Sequence, residues 1–270
     1  MEPLPPSLLP PEQPMTARAI RFCTGCGAAW QPEWSTCPTC SRPAIQRATD
    51  EYTKQRTSLR SALLLYFSLL ATCLLLLIIG LVRDGDVPLA VELTFDVILA
   101  AVVIAWAFPW FNRLRPILFS TGGAKWVSLA VPFGIATYTL AHFAVLGISL
   151  VFNVPMIDYL DSYEDAQFGF ALAIGSICVM PALFEELAFR GVILSALQDL
   201  LQPGEALLVS AMMFAILHLS VPSVPHLFAM GAVAAWMRQR SGSLLPGMIL
   251  HFTHNFLVLL SERSGGFLPW

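Results

Sequence analysis

Residues 59–82, LRSALLLYFSLLATCLLLLIIGLV, carry one charge, Arg60, and it lies at the start. A helix of about 20 apolar residues spans the hydrocarbon of a bilayer. In lipid every backbone polar group must be paired within the protein, so such a run is read as a membrane-crossing helix. Further apolar windows cover 91–111, 126–152, 168–201, 206–220, 226–237 and 244–260; the last three are short or interrupted by polar residues. Charged residues make up 12% of the chain, against about 25% in soluble domains. The expected fold class is all-α, a polytopic transmembrane bundle of seven or eight helices. A net charge of -3 gives no sign of a nucleic-acid partner.

Basic residues orient such a bundle. Arg42, Arg47, Lys54 and Arg56 before the first window, with Arg60 at its start, place the N-terminus in the cytoplasm. Asp84, Asp86 and Glu92 suit the outside, Arg113, Arg115 and Lys125 the inside, and Asp158, Asp161, Glu164 and Asp165 the outside again. Pro181 interrupts the window 168–201. A single bent crossing there gives seven spans and puts Arg238 and Arg240 inside, which the charge pattern favours; a split gives eight. The start, MEPLPPSLLPPEQP, lacks the pattern of a signal peptide. It reads as a disordered, proline-rich tail over 1–20.

Cys23, Cys26, Cys37 and Cys40 form two Cys-x-x-Cys pairs. Two thiolate pairs on tight turns close a tetrahedron around zinc, and a four-thiolate site is closed and structural. Gly25, Gly27 and Pro38 supply turns. A cytoplasmic site argues against disulfides. The expectation is a zinc ribbon over 21–42 that folds on metal binding, then a basic linker over 43–58. Cys73 and Cys178 lie in apolar runs and suit core packing.

Ionisable residues inside membrane segments mark function by default. They fall in EELAFR (185–190), FAILH (214–218) and HFTHN (251–255). Glu186 and Arg190 stand four apart on one helical face and can pair. Glu185 lies about 100° round the helix, free for a separate role. His251 and Asn255 also stand four apart, with His254 partly on their face. A carboxylate and an imidazole together take a proton from water, and an imidazole and an amide donate to an oxyanion. Glutamate and histidine are zinc ligands as well, but no His-Glu-x-x-His and no Gly-x-Ser-x-Gly is present.

These three stretches, in this order on separate apolar helices, resemble the motifs of the CPBP or Abi family. That membrane-protease family includes the CAAX prenyl endopeptidases and the bacteriocin-processing and immunity proteins. Its motifs are Glu-Glu-x-x-x-Arg, Phe-x-x-x-His and His-x-x-x-Asn (or Asp, or similar), and the likeness covers about 165–260. The resemblance implies a helical membrane bundle with a cavity open to the cytoplasm and a peptide or protein substrate at the membrane. It implies Glu185 and His218 as the pair activating water, and His251 and Asn255 as the oxyanion pair. Glu186, Arg190 and Phe214 would support them, with His254 outside the pattern. A metal-free, glutamate-type mechanism fits those roles better than a catalytic metal. The expected organisation is then N-terminal transmembrane helices over 59–164, a catalytic membrane core over 165–260, and a tail over 261–270. Two other readings compete. One is a non-proteolytic scaffold whose ribbon recruits a cytoplasmic partner; the other is a transporter, weakened by the lack of a visible inverted repeat.

Overall fold

Apolar windows without a partner strand fold as helices, since a helix pairs its own backbone groups. The computed structural model describes residues 21–23, 26–30, 34–41, 44–85, 87–153, 159–163 and 166–264. The expected tail over 1–20, residues 265–270 of the C-terminal tail, Gly25 of the ribbon, and Arg42, Asp86, Asp158, Glu164 and Asp165 of the orientation pattern lie outside them. The chain divides into two units, Met1–Arg56 and Thr57–Trp270.

The first unit contains an antiparallel ladder of two short strands, β1 (Arg21–Phe22) and β2 (Ala29–Trp30), with Arg21 opposite Trp30. Between the strands the Cys23 N–H donates to the Ala28 carbonyl at 2.8 Å, and the Gly27 N–H donates to the Cys23 carbonyl at 2.8 Å. Gly27 has φ +74°, a left-handed turn that glycine adopts without steric cost. The second cysteine pair closes similarly, with the Ser41 N–H donating to the Cys37 carbonyl. Helix α1 (Ala44–Val82) follows, so the stretch expected as a linker is helical from Ala44.

The second unit is helical among its described residues. After α1 come α2 (Leu89–Ala107), α3 (Phe111–Leu118) and α4 (Ala124–Phe152). A rod over Gly169–Leu197 follows, then α8 (Pro203–Leu217), α9 (Val224–Ser241) and α10 (Leu245–Arg263). Four helical stretches are long and apolar enough to cross a membrane: Tyr52–Val82, Leu89–Leu118, Ala124–Phe152 and Gly169–Leu197. The chain is a multi-pass membrane protein. Large apolar side chains such as Phe67, Ile78, Ile104, Leu140 and Phe143 stand exposed, as suits lipid contact. Phe189, Ile193, Phe214, Met230 and Leu250 are fully buried between the helices.

The rod does not split at Pro181. It runs through α5 (Gly169–Ala173), a π segment (Ile174–Val179), α6 (Met180–Glu186), a second π segment (Leu187–Ile193) and α7 (Leu194–Leu197). Proline has no N–H and its ring crowds the preceding turn. The wider π turn absorbs that crowding: the Met180 N–H reaches back five residues to the Gly175 carbonyl. At the other end of the rod, Arg113 makes two hydrogen bonds to Asp199, at 2.6 and 2.9 Å, and one to the Ser195 carbonyl. α10 packs along α4, α9 and α6, while α8 and α9 pack as a hairpin.

Candidate active site

Glu186 lies at the C-terminal end of α6, one turn before Arg190, and the pair expected from that spacing forms. Arg190 Nη1 donates to Glu186 Oε1 at 2.8 Å, and both side chains are 1% exposed. Arg190 Nη2 donates to the Gly231 carbonyl of α9 at 3.1 Å. Its guanidinium lies over the Phe214 ring at 4.5 Å from the centroid. A buried charge without a partner would cost several kcal/mol, about 3–5 when one member of such a pair is removed. Glu186 has a second partner that helical spacing does not reveal: His251 Nδ1 of α10 donates to the same Oε1 at 3.2 Å. This crossing contact is possible because α10 carries Gly247 there. A Cβ at Gly247 would lie 2.8 Å from Glu186 Oε2.

Glu185 faces differently. It is partly exposed, and its Oε2 has no hydrogen-bond partner among the described residues. The imidazole nearest to it is that of His251, whose Nε2 lies 3.9 Å away. The expected pairing of Glu185 with His218 is not a direct contact: among the described residues, His251 is the histidine within 4.0 Å of Glu185. His251 thus stands between two carboxylates, one nitrogen towards each.

His218 caps α8 and is exposed. Its Nδ1 contacts the Phe214 carbonyl at 2.9 Å. A carbonyl only accepts, so Nδ1 carries the proton and a neutral His218 presents a bare Nε2. Phe214 is the hub between the rings: its centroid lies 4.8 Å from that of His218 and 5.8 Å from that of His251, both edge-on. Leu219, which follows, has φ +54°, a strained turn for a branched side chain that ends α8 at His218.

Asn255, one turn beyond His251, donates Nδ2 to the Ile177 carbonyl at 2.7 Å. Pro181 explains why that carbonyl is available. An ordinary helix would bond it to the N–H four residues on, which proline lacks. Asn255 replaces the missing donor and retains a second N–H for another acceptor. His254 is 5% exposed, and its Nδ1 contacts Thr137 Oγ1 at 3.1 Å. Thr137 spends its own proton on the Gly134 carbonyl, so His254 is the donor. This fits a packing role.

Two ionisable residues near the site were missed in the sequence. Asp96 on α2 accepts a hydrogen bond from Ser176 Oγ in the first π segment. His226 on α9 is 8% exposed, has no partner for Nδ1 among the described residues, and lies within electrostatic reach of His218 and His254. The signal was available for both, since each is an ionisable residue inside an apolar window.

In the N-terminal unit the four cysteine sulfurs all lie within 4.8 Å of one another. Cys23 and Cys40 Sγ are 3.6 Å apart, and Cys26 and Cys37 Sγ 3.7 Å. Tetrahedral zinc with Zn–S bonds near 2.3 Å sets its sulfurs about 3.8 Å apart. The donor set therefore fits a metal ion. The Cys40 N–H, the largest influence, lowers the Cys37 thiol below its usual range. For Cys26 the Ala28 backbone bond, the largest influence, favours the thiolate. Desolvation and the three other sulfurs oppose it and push the thiol up to about 12. A cation would relieve that crowding.

One protein-family model, described as type II CAAX prenyl endopeptidase Rce1-like, matches residues 167–257. The matched segment holds Glu185, Glu186, Arg190, Phe214, His218, His251 and Asn255. No curated protein and no solved structure matches the chain.

Proposed function

We propose, from the match of residues 167–257 to the Rce1-like CAAX endopeptidase model, that the chain hydrolyses a peptide bond of a membrane-associated substrate using water activated by Glu185 and His218. The observation that carries this reading is Glu185 Oε2, a carboxylate oxygen with no hydrogen-bond partner among the described residues, held beside an imidazole in an apolar segment. A water in hydrogen-bond reach of Glu185 and of the bare His218 Nε2 would lose its proton as it attacks the scissile carbonyl. His251 and Asn255 stabilise the oxyanion, Asn255 through its unspent N–H. His251 donates through Nε2 only as the imidazolium, which Glu185 and Glu186 flank and neutralise. Glu186 and Arg190 hold His251 and the second π segment in place.

A second reading rests on the Glu186–His251 contact. With Nδ1–H donated to Glu186, a neutral His251 presents its bare Nε2 towards Glu185 and is itself the base. His218 then assists. Purified protein in liposomes, offered prenylated and unprenylated C-terminal peptides, separates these. Glu185→Ala abolishes cleavage while the protein stays monodisperse; undiminished cleavage rules out Glu185 as base. Under the first reading His218→Gln is inactive and His251→Gln keeps residual activity through its amide donor. The second reading reverses that order. If no peptide is cleaved and cells with wild-type protein and with Glu185→Ala show the same proteome, the scaffold reading takes its place.

The ribbon binds structural zinc through Cys23, Cys26, Cys37 and Cys40 and serves a cytoplasmic partner, with the N-terminus inside. No metal is assigned to the membrane site. The test is a variant lacking residues 1–45, assayed with and without chelator: inhibition there would show a metal at the reaction centre.

A further inference from the structure

Asp96 lies on α2, outside residues 167–257 and outside all three motifs. A carboxylate in a spanning helix is expensive to keep. This one is engaged by a specific partner, since Ser176 Oγ donates to Asp96 Oδ2. Ser176 belongs to the π segment Ile174–Val179 that Pro181 imposes on the rod. The next residue, Ile177, gives its carbonyl to Asn255 on α10. Consecutive residues of the π segment are therefore held from two sides, by α2 through Asp96 and by α10 through Asn255. Further along the rod Glu185 meets His251, one turn before Asn255 on α10. α2 also packs directly on α6 and on the second π segment. One turn before Asp96, Glu92 takes a hydrogen bond from Ser162, tying the start of α2 to the loop that leads into the rod.

We infer that Asp96 is a positioning residue of the site, which holds the π segment through Ser176 and so sets the depth and rotation at which the rod delivers Glu185. The rod needs this hold where its backbone ladder is interrupted. A π turn next to a proline has an irregular bond pattern, and side-chain bonds from neighbouring helices decide its rotation. The role requires a hydrogen-bond acceptor at position 96 and no charge. It rests on the endopeptidase reading above.

The test compares wild type with Asp96→Asn, Asp96→Leu, Ser176→Ala and the Asp96→Leu/Ser176→Ala double variant, in liposomes with a cleavable peptide. Asparagine keeps an acceptor for Ser176. A misplacement near 1 Å costs roughly 100-fold, so Asp96→Leu and Ser176→Ala each lower kcat by roughly 10- to 100-fold. KM stays within about twofold, because ground-state binding is untouched. Asp96→Asn stays close to wild type, and the double variant is no worse than the worse single one. Wild-type kcat in Asp96→Leu, additive losses, or an asparagine variant as poor as the leucine one each overturn the inference. Ser176→Ala keeps the test open if Asp96→Leu does not fold. Should wild type cleave nothing, the endopeptidase reading fails separately. Amide hydrogen exchange over 174–180 then decides: faster exchange in Ser176→Ala than in Asp96→Asn supports the hold, and equal exchange overturns it.

Discussion

Replacing Gly247 by alanine adds one methyl group to α10 beneath Glu186, and two opposed effects follow. In a helix interior the change is favourable by about 1 kcal/mol, and Gly247 stands in the first turn of α10, so that figure is an upper limit here. At this position the new Cβ meets Glu186 Oε2 at 2.8 Å. Ordinary contact begins at 3.4 Å, so the carboxylate must retreat by 0.6 Å, the difference between 3.4 and 2.8. Glu186 has little room, because its Oε1 is bonded to Arg190 at 2.8 Å and to His251 at 3.2 Å. A hydrogen bond to a charged group contributes about 1.5–3 kcal/mol. Losing one of the two outweighs the helical gain and leaves a net cost of about 0.5–2 kcal/mol. Cleavage falls with it, because His251 turns away from Glu185. Thermal unfolding in detergent and peptide cleavage measure both effects. Glu186→Asp withdraws the carboxylate by about 1.5 Å, so Gly247→Ala is better tolerated in that background. A Gly247→Ala protein that unfolds at a higher temperature with full activity would refute the contact.

Arg190→Lys keeps the charge but replaces the planar fork by one ammonium group, which cannot serve both Glu186 and the Gly231 carbonyl. The loss is about 1–2 kcal/mol in unfolding free energy, with a matching fall in cleavage; wild-type stability would show that the Gly231 bond is idle. In the ribbon, Cys37 deprotonates more readily than Cys26. Metal binding must displace the Cys26 proton, so affinity falls as pH falls. A chromogenic chelator mixed with full-length protein reads this as faster release in acid, and pH-independent release would exclude thiolate ligation.

Legibility in the sequence followed distance along the chain. The Glu186–Arg190 pair is one helical turn long, so spacing alone anticipated it, and the cysteine pairs were legible for the same reason. Contacts between helices were not. Nothing in EELAFR says that His251 lies nearer to Glu185 than His218 does, because the α6–α10 crossing is set by Gly247 and by the Asn255–Ile177 bond. Pro181 was visible as an interruption, and its physics allows a bend, a break or a π turn. The choice depends on α10 supplying the donor that proline lacks. Asp96 was visible too, but its partner, Ser176, lies 80 positions away.

α8 has 15 residues and rises about 22 Å, while the hydrocarbon layer is about 30 Å thick. A helix of that length starting at one face of the bilayer ends before the other, and α9 returns from there. The turn between them, with His218 at its edge and Ser220 bonded to Ser223, then lies below the lipid headgroups. Polar atoms at that depth are tolerated where protein or a water-filled hollow receives them. With α8 starting at one face, its shortness would open a place where water follows the protein into the membrane, and the hydrolysis proposed above would consume that water. Lengthening α8 by one turn would carry His218 away from Glu185 and draw the wet boundary outward with it.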